Sequence, residues 1–205
     1  CTVYGPAAQV PIVERSQTYP VSAYGISKLA CEKYMRLYDA QNASGVGNGR
    51  MRTVSLRVAN PYGAEQNIGK AQGALVTFCH RALQDQPITI WGDGSVERDY
   101  IDVRDVAVAL YLAAIQRDVA GCEINIGSGK GSSLNELLKL ISQITGRQLE
   151  VIYQSHRGFD VPRNYLDISL AQELLGWCPS IDLQTGMTEL LTQLQARVSR
   201  VHDKE

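Results

Sequence analysis

No stretch of this sequence reaches the roughly 18 consecutive apolar residues that a membrane span requires. An excess of one charge sign is also missing: 20 Lys and Arg stand against 21 Asp and Glu, so nothing points to nucleic acid or an anionic membrane. Histidine is scarce. His80, His156 and His202 are too dispersed for a metal centre, and no metal is expected. The five cysteines (Cys1, Cys31, Cys79, Cys122, Cys178) are odd in number and lack zinc-type spacing, and they read as reduced thiols of a cytoplasmic protein. Signal-peptide patterns, internal repeats and low-complexity tracts are not visible. What is present is ordinary soluble composition, 44% hydrophobic and 20% charged, sufficient for a core in one domain or two small ones.

The apolar residues Ile26, Leu29, Ala30, Tyr34, Leu37 and Tyr38 recur at three- and four-residue steps, which predicts a helix behind Ser22 as N-cap, broken over 42–48. Residues 1–5 read as a strand end, 6–20 as a proline-punctuated loop, and 45–49 as a glycine-rich surface loop. Residues 53–58 are rich in β-branched side chains, a buried-strand pattern, with Asn60-Pro-Tyr-Gly63 turning the chain at its end. A helix over 73–84, a strand over 88–91, an extended piece over 100–103 and a strand over 123–126 follow. The nearly all-apolar run 106–115 reads as a buried or domain-bridging helix. Ser133-Leu-Asn-Glu136 is a capping box that opens a helix to Thr145, stopped by Gly146. A strand over 149–153, a short helix over 167–176, a last helix from Asp182 to about Val198 and a loose tail over 200–205 complete the chain. Strands alternating with helices give the α/β class.

Within the first helix, Tyr24 and Lys28 lie one turn apart on one face. A free tyrosine, with a pKa of about 10, is a poor base at neutral pH. A cation beside it favours the phenolate, and the pair then suits general acid/base chemistry. The bland alternative is one buried tyrosine and a solvated lysine. The surrounding motifs weigh against it: Thr2-Val-Tyr-Gly5, Pro20-Val-Ser-Ala-Tyr-Gly-Ile-Ser-Lys28, Leu56-Arg-Val-Ala-Asn-Pro-Tyr-Gly63 and Gly92-Asp-Gly-Ser-Val-Glu-Arg-Asp-Tyr-Ile-Asp-Val103. In that order, and over almost the whole chain, they resemble the extended short-chain dehydrogenase/reductase family, specifically its NAD-dependent nucleotide-sugar epimerases and dehydratases.

The resemblance implies roughly the C-terminal two-thirds of such an enzyme, because no glycine-rich strand–turn–helix for the cofactor pyrophosphate occurs here. It implies residues 1–62 as the remainder of a Rossmann-type domain with a parallel sheet, and 63–205 as mainly a smaller mixed α/β substrate domain, with some segments returning to the sheet. Tyr24 becomes the acid/base. Lys28 tunes it and binds the nicotinamide ribose, and Ala59 lies beside the nicotinamide. A third catalytic Ser or Thr falls upstream of Cys1. Family dehydratases carry a carboxylate before Val-Tyr-Gly. Thr2 and Cys1 carry none, which favours 4-epimerisation of a UDP-hexose over dehydration or reduction.

Thr2 is implied as a sugar contact, Leu75 as a backbone contact, and Thr89, Ile90 and Trp91 as the segment against the base. Arg98 and Arg157 are implied on the diphosphate, Asp160 on the ribose, and Asn60 on diphosphate or sugar hydroxyl. Asn164 stands where a large tyrosine restricts the family to plain hexoses, which leaves room for a 2-acetamido group. The alternatives remain surface ion pairs for Arg98 and Arg157, a turn-former for Asn60, a core aromatic for Trp91, and a non-catalytic nucleotide-sugar-binding fragment for the chain. The long apolar helical stretches suit the family's homodimer contacts.

Overall fold

The computed structural model describes residues 2–43, 52–66, 73–156 and 161–202. In chain order the elements are α1 (Ala23–Ala43), β1 (Ser55–Val58), β2 (Asn60–Tyr62), α2 (Ala74–Leu83), β3 (Ile88–Trp91), β4 (Glu97–Arg98) and β5 (Tyr100–Asp102). Then come α3 (Val103–Ile115), β6 (Glu123–Ile126), β7 (Ser132–Ser133), α4 (Leu134–Thr145), β8 (Val151–Gln154), β9 (Arg163–Asn164), α5 (Ser169–Leu175) and α6 (Leu183–His202). The class is α/β, as the alternation of patterns predicts.

Local chemistry decides α4 almost completely. The Ser133 hydroxyl accepts from the Glu136 backbone N–H at 3.1 Å, and the Glu136 carboxylate accepts from the Ser133 N–H at 2.7 Å. Two donors that a helix start leaves orphaned are thereby satisfied. Leu137, Leu138 and Ile141 are buried on one face, and Gly146 ends the helix in the left-handed conformation at φ 66°. That face packs on α2 and α6. Ile88 and Ile90 reach the same core from β3, which pairs in parallel with β8. Leu75, Val76, Cys79, Leu190 and Leu194 complete this first core.

A second core forms around β1 and β6, parallel with Ser55 opposite Glu123 and Val58 opposite Ile126. Ile124 and Ile126 from β6, Ile101 from β5, Val106 and Ala109 from α3, and Tyr4, Ile12, Leu166 and Trp177 from the segments around them are buried together. Between the cores run the parallel pair β2–β5 and a small sheet in the order β7–β4–β9. Asp99, between β4 and β5, is fully buried, and its carboxylate accepts from the Ser128 N–H and hydroxyl at 2.7 Å each and from the Leu166 N–H at 3.1 Å.

Several expectations need correction. Residues 2–4 form a turn, not a strand end, held where the Tyr19 N–H donates to the Tyr4 carbonyl. Asn60-Pro-Tyr is not a turn but strand β2, because Asn60 lies opposite Tyr100 and Tyr62 opposite Asp102. Helix α3 is buried on one side only: Val106, Ala109 and Ala113 face the core, while Leu110, Tyr111 and Ile115 are more than half exposed. Residues 200–202, expected in a loose tail, continue α6. The loop expected over 45–49 lies outside the described residues. Among the described residues no helix is long and apolar enough to cross a membrane.

Candidate functional site

Strand β3 ends where its alternation turns Ile90 into the core and leaves Trp91 39% exposed. The side of β3 that carries Thr89 and Trp91 faces α2, β2 and β4 across a cleft of ≈ 610 Å³. Asn60, Leu75, Thr89, Ile90, Trp91 and Arg98 all line it. Leu75 and Ile90 are each only 1% exposed and also belong to the first core. Arg98 is held at the wall because its Nη1 donates to the carbonyls of Glu97 (2.8 Å) and Val161 (2.7 Å). Asn60 is fixed by its Nδ2 donating to the Asp99 carbonyl at 2.9 Å. Two further wall residues carry no motif signal in the sequence: Gln66, whose Oε1 is buried without a hydrogen-bond donor, and Arg81, which donates to the Pro87 carbonyl at 2.7 Å. Among the described residues the lining includes two arginines and no carboxylate. Burial pushes the lining Tyr100 phenol up to about 12, so it stays protonated near neutral pH.

Tyr24 and Lys28 stand apart from that wall, near the start of α1. Ser22 caps the helix by accepting from the Gly25 N–H at 3.1 Å. Gly25 is required there: a Cβ would come within 2.7 Å of the Thr2 carbonyl oxygen and 2.9 Å of the Pro20 Cβ. The exposed Thr2 turn is therefore seated directly on the first turn of α1. The Lys28 ammonium lies over the Tyr24 ring, 5.3 Å from its centroid, and Tyr24 is 62% exposed. Ala59, 8% exposed, follows β1 with its N–H donating to the Ile126 carbonyl at 2.8 Å. Asn164, on β9 opposite Arg98, is buried; it does not line the cleft, and its Oδ1 lacks a donor. Arg157 and Asp160 lie outside the described residues.

The least legible feature is a buried polar cluster beneath α1. Arg57 on β1 donates from Nε to Glu32 at 3.0 Å and from Nη2 at 2.7 Å, a bidentate pair, and from Nη1 to the Tyr4 hydroxyl at 2.9 Å and the Glu14 carbonyl at 3.0 Å. The Tyr4 hydroxyl donates to Asn125 Oδ1 at 2.6 Å, and Asn125 Nδ2 donates to the carbonyls of Ile12 and Asp167. Burial works against the Arg57 charge, but the Glu32 and Tyr4 hydrogen bonds overcome it and hold Arg57 cationic. Burial also raises the Tyr4 phenol, so it stays un-ionised.

Comparisons with known proteins place the chain in a family. The model of the NAD dependent epimerase/dehydratase family matches residues 1–127. A UDP-glucose 4-epimerase of Azospirillum brasilense is 31% identical over 195 residues, covering 90% of this chain and 56% of its own length. A dTDP-4-dehydro-6-deoxyglucose reductase of Escherichia coli is 30% identical over 196 residues, covering 96% and 59%. The crystal structure of the UDP-glucose 4-epimerase of Thermotoga maritima with UDP-glucose superposes with a TM-score of 0.88 at 32% identity, covering 96% of this chain and 61% of that one. The chain thus spans less than two-thirds of the length of the relatives it matches. With the family model matching more than half of its residues, the chain belongs to the NAD-dependent epimerase/dehydratase family.

Proposed function

We propose that this chain is the C-terminal part of an NAD-dependent nucleotide-sugar epimerase that acts at C4 of a UDP-hexose through a 4-keto intermediate. The observation that carries the reading is the cleft, with Arg81 and Arg98 and, among the described residues, no carboxylate in its wall, and a partly exposed Trp91 at the end of β3. That chemistry suits a diphosphate and a flat base. The family name and the UDP-glucose-bound relative support the cofactor and the substrate class. In this reading 1–62 serves the cofactor side and 63–205 mainly the substrate, with segments such as β6 and α3 returning to the core around β1.

The residues fit NAD as far as they extend. The open Tyr24–Lys28 face has polar ends to offer a ribose, and Ala59 after β1 presents a single methyl to a nicotinamide ring. NAD would supply the hydride chemistry at C4, while the chain's own residues would bind it and move the proton. Tyr24 accepts the C4 hydroxyl proton and later returns it; Lys28 supplies the cation beside it. Arg98, with Arg157, holds the diphosphate. Asn60 contacts the diphosphate or a sugar hydroxyl, Thr2 the sugar or the loop, Asp160 the ribose, and the segment of Thr89, Ile90 and Trp91 the base. Asn164, standing where a large tyrosine restricts the family to plain hexoses, leaves room for a 2-acetamido group. The outward apolar residues of α1 and α3 provide the surface for a homodimer, and the setting is cytoplasmic.

The test uses the complete enzyme. UDP-glucose is converted to UDP-galactose with no net consumption of NADH, and Tyr24→Phe lowers kcat by at least about 100-fold with the melting temperature unchanged. Undiminished turnover in that variant removes Tyr24 from the chemistry. The Escherichia coli relative favours a reductase as the second reading, and stoichiometric NADH oxidation would select it. Calorimetry on the 205-residue chain alone addresses the fragment reading, in which UDP-glucose gives heat and NAD does not.

A further inference from the structure

Lys28 has a choice of partners along its own helix. Tyr24 lies one turn before it and Glu32 one turn after it, and both positions are within side-chain reach. A carboxylate attracts an ammonium far more strongly than a ring face does, so an unoccupied Glu32 would draw Lys28 away from Tyr24. Yet Lys28 lies over the Tyr24 ring. The reason is on β1: Arg57 occupies both carboxylate oxygens of Glu32 with its fork, in a pair where both side chains are at most one-tenth exposed. Arg36, one turn beyond Glu32, is itself engaged by both oxygens of Glu123. The fork is in turn fixed by the Tyr4 hydroxyl and the Glu14 carbonyl, so it cannot swing away without breaking buried hydrogen bonds.

We propose that Arg57 is a positioning residue for the Tyr24–Lys28 pair: by holding the Glu32 carboxylate against β1, it keeps Lys28 on Tyr24. The inference rests on the epimerase reading of Tyr24 and Lys28. An anchor that merely fastened α1 to the sheet would use the same ion pair, and the two roles make opposite predictions about removing Glu32 as well.

The test is steady-state kinetics on the complete enzyme with UDP-glucose. Arg57→Met frees the Glu32 carboxylate and lowers kcat by about tenfold or more, with KM changed less than about twofold. The double variant Glu32→Gln/Arg57→Met removes the competing charge and recovers most of the lost kcat. Should Arg57→Met fail to fold, Arg57→Lys keeps the charge but loses the fork, and the same partial loss and recovery are read in Arg57→Lys against Glu32→Gln/Arg57→Lys. A folded double variant no faster than its single parent, or a loss shared equally by kcat and KM, overturns the proposal and leaves a structural anchor. Failure of the underlying reading looks different, because Tyr24→Phe then retains turnover whatever Arg57 does.

Discussion

Helices α4 and α1 are built on opposite plans. In α4 the apolar residues face inward, a capping box closes the start and a left-handed glycine closes the end. In α1 the side turned to the sheet carries Gly25, Leu29, Glu32 and Asp39, and its deepest contact is the ion pair with Arg57. The apolar stripe Ile26, Ala30, Tyr34 and Leu37 faces out, with Ile26, Tyr34, Leu37 and Tyr38 each more than half exposed. A helix designed only for stability follows the first plan. The second accepts the desolvation of a buried ion pair, which is poor evidence for stability and better evidence for a position that must be fixed. Contiguous exposed apolar surface of this kind marks a face that another surface covers.

Leucine substitutions on the two helices sharpen the contrast. Leu137→Ala on α4 removes a fully buried side chain and is expected to cost about 2–5 kcal/mol in chemical denaturation. Leu37→Asp on α1, at a side chain 51% exposed, should leave monomer stability within about 0.5 kcal/mol while shifting sedimentation of the complete protein from dimer to monomer. A large stability loss at Leu37 with no change in mass would mean that the stripe packs within its own chain. The α4 cap is worth less than the α4 core, and Ser133→Ala should cost about 1 kcal/mol.

The same contrast explains what was legible. Helix α4 was readable to the residue, since its capping box, periodicity and stop are all local. Strands β3 and β6 were found through short β-branched runs. The first helix was found through its apolar period, but that period belongs to the outward face, and no single-sequence signal says which face of a helix meets the core. Asn60-Pro-Tyr looked like a turn because proline punctuates; it is a strand because β5, some forty residues on, pairs with it. The Arg57 cluster was invisible for the same reason: its members Glu32, Tyr4 and Asn125 are drawn from three separate segments, and a strand arginine alone announces nothing. The cleft residues were placed by motif resemblance, whereas Gln66 and Arg81 entered only once α2 and β3 faced each other.

Caps extend the comparison to pH. Where α4 starts on a serine, α3 starts on Asp102, whose Oδ1 accepts from the Arg104 N–H and Nε at 2.9 Å each and whose Oδ2 accepts from Arg104 Nη2 at 2.8 Å. Burial alone would raise this carboxyl, but the Arg104 hydrogen bonds and charge outweigh it and hold it below its ordinary value of 3.8. The folded form is therefore the one that binds the proton less readily. The contribution of Asp102 to stability is complete above that ordinary value and is lost as pH falls through the depressed one. Asp99 works the other way: burial raises it despite the Ser128 and Leu166 donors, so its ionised form costs stability at neutral pH and acid relieves that cost. Denaturation at about pH 7 and again at about pH 2 should show Asp102→Asn less stable than the parent at the first and by a smaller margin at the second. The Ser133→Ala deficit, at an uncharged cap residue, should change less between the two. An Asp102→Asn deficit that persists undiminished in acid would show that the cap acts through shape and not through charge, and the two helix starts would then differ in sequence alone.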